Sequence, residues 1–110
     1  MKKLISALLV MALCVLAASA FADQLADIQT RGSIIFATEG NWAPWTYYDE
    51  DGNRAGFDIE VAEAVAAKLG LKAEFIDVEW SGIFSGIEVG RYDTAANGVD
   101  VTEEVIKKMK

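Results

Sequence analysis

The chain has 110 residues, with 10 Lys and Arg against 17 Asp and Glu, no His, and 53% hydrophobic residues. That length admits one small domain. A formal charge of −7 with no basic cluster argues against nucleic-acid binding, because phosphate contacts supply most of that affinity. The acids are scattered, as on a solvated surface that aids solubility.

Met1-Lys2-Lys3 is a basic start, and Leu4 to Leu16 is apolar except for Ser6. Small residues follow, ending in Ala20-Phe21-Ala22 before Asp23. This is the order of a secretory signal peptide, expected to span residues 1–22 and to be cleaved after Ala22. An uncleaved anchor is the competing reading, but the apolar run is shorter than the ~20 residues of a comfortable span. No stable membrane span is therefore expected after cleavage. Cys14, the single cysteine, follows Leu13 rather than a small residue, so lipidation is not expected. Loss of the leader removes Cys14 and both of its lysines, leaving residues 23–110 with a charge of −9 and no disulfide to form. Such a chain is compatible with the periplasm.

The remaining elements alternate in type. Leu25 and Ile28 suggest a helical turn ending near Gly32. Ser33 to Thr38 is a short β-branched run and predicts a buried strand. Glu39 to Trp45 is a loop, Thr46 to Tyr48 is extended, and Asp49 to Asn53 is a turn in which Gly52 takes positive φ. Phe57, Val61, Val65 and Leu69 recur every four residues with Ala62 and Ala66 beside them, which predicts a helix with that stripe inward. Asp58 and Glu60 favour its start, Lys68 its end, and Gly70 stops it. Ala73 to Val78 predicts a second strand, Ile83 to Ile87 a short helix stopping at Gly90, and Thr94 to Val101 a third strand. Thr102 caps a last helix, with Glu103 and Glu104 in its first turn and Lys107, Lys108 and Lys110 in its last.

Strands joined through helices form a parallel sheet with right-handed crossovers. The fold class is α/β, and the expected strand order is 2-1-3 with helices on both faces. Ligands of open parallel sheets sit beyond the carboxyl ends of the strands, at the point where strand order reverses. Three segments lie there: Glu39 to Trp45, Glu79 to Gly82, and Asn97 to Asp100. They hold all three tryptophans, and each carries a carboxylate and a glycine. Indole faces exclude water and attract cations. Carboxylates accept hydrogen bonds from ammonium groups. The combination suits a zwitterionic amino acid or a related amine.

Competing roles stay open at this level. Trp42 and Trp80 are candidate ligand walls, whereas Trp45 can pack beneath its loop. Glu39 can cap a neighbouring helix, Gly98 can be a strand break, and Asp100 can face solvent. Asp49, Asp51, Asn53 and Glu60 match calcium-loop positions, but Arg54 stands where glycine is needed and a helix begins too early, which favours a hairpin turn. With no His, no mature cysteine and no phosphate-cradling loop, no catalytic set is visible and no cofactor or metal is expected.

Taken in order, Gly32-Ser33-Ile34-Ile35-Phe36-Ala37-Thr38-Glu39, Ala43-Pro44-Trp45, Gly56-Phe57-Asp58-Ile59-Glu60, Leu69-Gly70, Trp80-Ser81-Gly82-Ile83, Gly90-Arg91-Tyr92-Asp93 and Asn97-Gly98-Val99 resemble the polar amino-acid-binding proteins of ABC transporters, solute-binding family 3. The resemblance implies a type II periplasmic-binding-protein-like fold, here one incomplete N-terminal lobe over residues 23–110. It implies a polar amino acid as ligand and an inner-membrane ABC permease as partner. It places Glu39 as the acidic position, Trp42 and Trp80 as aromatic walls, Asn97 and Gly98 as main-chain contacts, and Asp100 and Thr102 where hydroxyl ligands often stand. The family's carboxylate-clamping arginine would fall at Val105, which cannot make charge-assisted bonds. The resemblance fades near Glu104, so the chain reads as a truncated front half whose single wall is expected to bind at millimolar strength. A dehydratase on the same fold, with Glu39 or Asp100 as acid–base groups turning over prephenate or arogenate, is the alternative function. A ligand-sensing domain is a third.

Overall fold

The computed structural model describes residues 1–9 and 23–108. The proposed cleavage point, Cys14 and most of the apolar leader lie outside the described residues. The chain divides into two units, residues 1–31 and 32–110. In the first, residues 2–9 are helical (α1), and α2 spans Gln24–Arg31. Asp23 starts α2: its carboxylate accepts the Leu25 N–H and its carbonyl accepts the Asp27 N–H, an N-cap arrangement. Among the described residues no helix is long and apolar enough to cross a membrane.

The second unit is an α/β layer. Its elements are β1 (Ser33–Thr38), a hairpin of β2 (Tyr47–Tyr48) and β3 (Arg54–Ala55), α3 (Phe57–Lys68), β4 (Lys72–Asp77), a 3-10 turn (Trp80–Gly82), α4 (Ile83–Glu88), β5 (Thr94–Ala95) and α5 (Glu103–Lys108). The three-stranded sheet has the order β4-β1-β5, parallel throughout, with Ser33 to Thr38 in register with Lys72 to Asp77. This is the expected 2-1-3 order. The crossovers through α3 and α4 travel in opposite directions past β1. Right-handed connections therefore set these helices on opposite faces of the sheet.

Two expectations need correction. The expected apolar face of α3 turns inward only in part: its Ala62 and Ala66, together with Ile59, are buried, while Phe57, Val61, Val65 and Leu69 are all more than 40% exposed. Both rows satisfy helical spacing. The alanines permit close approach of the helix to β1 and β4, which the larger stripe would prevent. The third strand is also shorter than Thr94–Val101. After Ala96 donates to Ala37 O, the chain leaves the sheet at Asn97, whose side chain turns inward, and Gly98, at φ +59.

Helix α3 ends in a Schellman motif, in which Leu71 N–H reaches Ala66 O and Gly70 N–H reaches Ala67 O. On the other side of the sheet Tyr92 is 1% exposed, and its hydroxyl donates to the carbonyls of Gly82 and Ile83. Gly86 makes room for it, since a Cβ there would stand 2.1 Å from the hydroxyl. The segment read as a hairpin turn is one. Asp49 Oδ1 accepts the N–H groups of Asp51 and Asn53, an Asx-type turn, and Glu60 lies in α3.

Candidate ligand site

Three backbone devices position the loops at the carboxyl end of the sheet. Beyond β1, Trp42 and Thr46 exchange backbone hydrogen bonds, folding Trp42–Thr46 into a tight turn. The first N–H groups of α3 then donate to that turn, Phe57 to Pro44 O and Asp58 to Trp45 O. They satisfy helix-end donors that have no side-chain cap. Beyond β4, Val78 N–H returns to Thr38 O, and the 3-10 turn begins two residues later.

Asn97 links these parts. It is 2% exposed. Its Oδ1 accepts the Glu39 N–H at 2.9 Å and lies 3.4 Å from Thr38 Oγ1, which is itself bonded to the buried Thr46 hydroxyl. Its Nδ2 donates to Glu39 Oε2 at 2.9 Å. Glu39 Oε1 accepts the Trp80 N–H at 3.2 Å. One carboxylate thus joins the ends of β1 and β5 to the start of the 3-10 turn, so the capping role weighed for Glu39 is present.

All seven residues singled out in the sequence line one cavity of ≈ 540 Å³: Glu39, Trp42, Trp80, Asn97, Gly98, Asp100 and Thr102. Trp42 and Trp80 are 44% and 46% exposed, open enough for contact with a solute. Gly98 carries the Trp42 ring: a Cβ on Gly98 would sit 2.5 Å from Trp42 Cζ3. Thr102 caps α5, accepting the Val105 N–H at 3.2 Å. Trp45 packs edge-on against Phe57 at 5.8 Å and stays outside this lining.

Sequence reasoning did not assign Phe84, Glu104 or Lys108 to the site. They also line the cavity, as does Val105. Phe84 stands edge-on to Trp80 at 5.7 Å, and Lys108 Nζ is 5.7 Å from the Phe84 ring and 2.9 Å from Glu104. The hydrogen bond and charge of Lys108 hold the Glu104 carboxyl below its usual value. The signal was the i,i+4 spacing of Trp80 with Phe84 and of Glu104 with Lys108, which puts each pair on one helical face.

A larger cavity of ≈ 730 Å³ lies along Val61 and Val65 of α3 and Thr94 and Ala95 of β5. Its walls are mainly apolar. Asp58 Oδ2, on this side, is buried with no hydrogen-bond partner among the described residues. Trp42, Asn97, Gly98 and Asp100 border both cavities and Trp45 joins the larger one, whereas the smaller gathers all seven candidate residues, with the mix of apolar wall and a few placed polar groups that solute pockets have.

Outside the cavity, Arg54 and Tyr48 of the hairpin clamp Asp77 at the end of β4. Arg54 Nη1 stands 2.7 Å from Asp77 Oδ1, and the Tyr48 hydroxyl donates to Oδ2. Partial burial pushes the Asp77 pKa up, but the bonds from Arg54 and Tyr48 outweigh it and hold the carboxyl below 3.8. The bond to Asp77 raises the Tyr48 hydroxyl above 10.0.

The family model of bacterial extracellular solute-binding proteins, family 3, matches residues 34–110. The chain belongs to this family. A Haemophilus influenzae relative named "Probable amino-acid ABC transporter-binding protein" is 39% identical over 88 residues, covering 79% of this chain and 34% of the relative. An L-cystine-binding protein of Bacillus subtilis is 39% identical over 82 residues, covering 74% and 31%. The crystal structure of an ancestral amino acid-binding protein, a precursor of cyclohexadienyl dehydratase, superposes with a TM-score of 0.74 at 34% identity, covering 77% of this chain and 37% of that one. The family 3 chain described here spans about a third of the length of the curated relatives it matches. Its sheet and helices belong to the type II periplasmic-binding fold expected from the sequence.

Proposed function

We propose that residues 23–110 form one wall of a periplasmic solute-binding site for a polar amino acid or a related amine, serving an ABC transporter permease after export through a cleaved signal at residues 1–22. The observation that carries this reading is the convergence of Glu39, Trp42, Trp80, Asp100 and Thr102 on one cavity beyond the carboxyl ends of the parallel strands. The names of the two relatives support the solute and transporter classes. Residues 23–110 taken alone are expected to bind weakly, about −4 kcal/mol at millimolar affinity. The test is a fluorescence titration of the chain with amino acids and amines, repeated with Trp42→Ala and Trp80→Ala. Each substitution is expected to weaken binding roughly threefold or more, as the loss of an indole face from a cation or apolar stem does. Binding that both substitutions leave unchanged contradicts the reading.

The dehydratase alternative is favoured by a Pseudomonas aeruginosa relative named "Cyclohexadienyl dehydratase", 31% identical over 82 residues. Against it, both Glu39 oxygens already accept hydrogen bonds from the protein, which ties up the best-placed acid–base group. The binding reading is the one adopted, and turnover of prephenate or arogenate by this chain is the result that reverses the choice.

A further inference from the structure

We infer that the preferred occupant of the 540 Å³ cavity is a compact organic cation, an amine or guanidinium on a short aliphatic stem, that carries no carboxylate. The inference rests on the reading of this cavity as a solute site and narrows its ligand class.

The lining is lopsided in charge. Glu39, Asp100 and Glu104 contribute carboxylates, and Lys108 is the one cationic side chain among the described lining residues. Its ammonium is already paired with Glu104 at 2.9 Å and stands 5.7 Å from the Phe84 ring centroid. A ligand carboxylate entering here meets Asp100 and Glu39 without a free side-chain cation to offset them. Position 105 offers only an apolar valine. The other side-chain donors of the lining, the Thr102 hydroxyl, the Asn97 amide and the two indole N–H groups, are neutral and serve an amide or hydroxyl as well as a carboxylate.

The indoles supply an independent reason. Trp42 and Trp80 enter the lining from different loops, 44% and 46% exposed. Trp42 is seated on the Gly98 backbone and Trp80 is braced edge-on by Phe84. A cation over an indole face gains from the ring quadrupole, and an anion is repelled by it. Ring faces and carboxylates therefore select the same sign of charge. The two flanks of Glu39, bonded to Asn97 and Trp80, fix its carboxylate in the lining.

The test is a tryptophan-fluorescence titration of the full chain with agmatine, L-arginine and L-glutamate at fixed low ionic strength, repeated with Trp42→Ala and with Asp100→Asn. Agmatine and arginine share the guanidinium stem and differ by the carboxylate. Agmatine is expected to bind up to ~5-fold more tightly than arginine, the discrimination given by one exposed charge interaction with the carboxylate. Glutamate is expected to give no saturable change over the same range. Asp100→Asn is expected to weaken agmatine more than arginine. Arginine binding as tightly as agmatine, or saturable glutamate binding, with either dependent on Trp42, overturns the cation preference and leaves the solute site standing. No ligand response that depends on Trp42 overturns both.

Discussion

Replacing Asn97 with alanine tests the scaffold beneath the site. The substitution leaves the Glu39 backbone N–H without its acceptor at 2.9 Å and removes the Nδ2 donor to Glu39 Oε2. An orphaned, partly buried N–H costs about 1–3 kcal/mol. The charge-assisted bond is worth about 1.5–3 kcal/mol where water is excluded; Glu39 is partly exposed, so water restores much of it and roughly 1 kcal/mol is lost. The expected total is about 2–4 kcal/mol, a fall in Tm of ~10–25 °C for a domain of this size. Urea unfolding followed by far-UV circular dichroism and tryptophan fluorescence measures it. Asn97→Asp keeps the Oδ1 acceptor but sets a carboxylate against that of Glu39. The like charges make Asn97→Asp less stable than the parent chain at neutral pH, and raised ionic strength should narrow that gap. A loss below about 1 kcal/mol for Asn97→Ala, or an Asn97→Asp variant as stable as the parent, would refute the assigned network.

Gly98→Ala places a methyl group 2.5 Å from Trp42 Cζ3 at a backbone φ of +59. Left-handed backbone costs about 1–2 kcal/mol for alanine, and the half-exposed indole is expected to swing aside, so denaturation should show that loss while ligand titration shows weakened binding. Unchanged binding would mean that the Trp42 ring has no fixed role. Asp77→Asn removes the clamp between the hairpin and β4. Because Asp77 is held below 3.8 in the fold, its stabilisation is present above that value and lost as pH falls through the lower folded value; the parent's advantage over Asp77→Asn should shrink on acidification below pH 3.8, read from urea midpoints at each pH. Tyr48, raised above 10.0, adds the opposite dependence, with stability lost as pH rises past 10.0. A gap between parent and variant that stays constant from neutral to strongly acidic pH contradicts the clamp.

Much of the site was legible because topology does the convergence. Once Ser33–Thr38 and Ala73–Val78 are recognised as parallel strands, their following loops must share one end of the sheet, whatever the side chains do. Trp42, Trp80 and Glu39 were placed at that end of the sheet in that way, and all three line the cavity there. The direction of α3 was not legible, because Phe57-Val61-Val65-Leu69 and Ile59-Ala62-Ala66 are both helical rows. The choice depends on how closely the helix approaches the sheet, a tertiary quantity that the smaller row satisfies. Asn97 lines the cavity, but where the resemblance implied a main-chain contact its side chain is bonded to a residue 58 positions away. The same holds for Arg54 and Asp77. No local pattern encodes a partner at that separation.

The central claim is that Trp42 and Trp80 face one solute. The most direct measurement is an NMR titration of the three indole N–H signals with agmatine and with L-arginine, each signal assigned by single tryptophan replacement. The Trp42 and Trp80 signals are expected to shift along saturable curves with one shared Kd, and Trp45 is expected to move least. Shifts of Trp42 and Trp80 with different Kd values, or a response confined to Trp45, would contradict it.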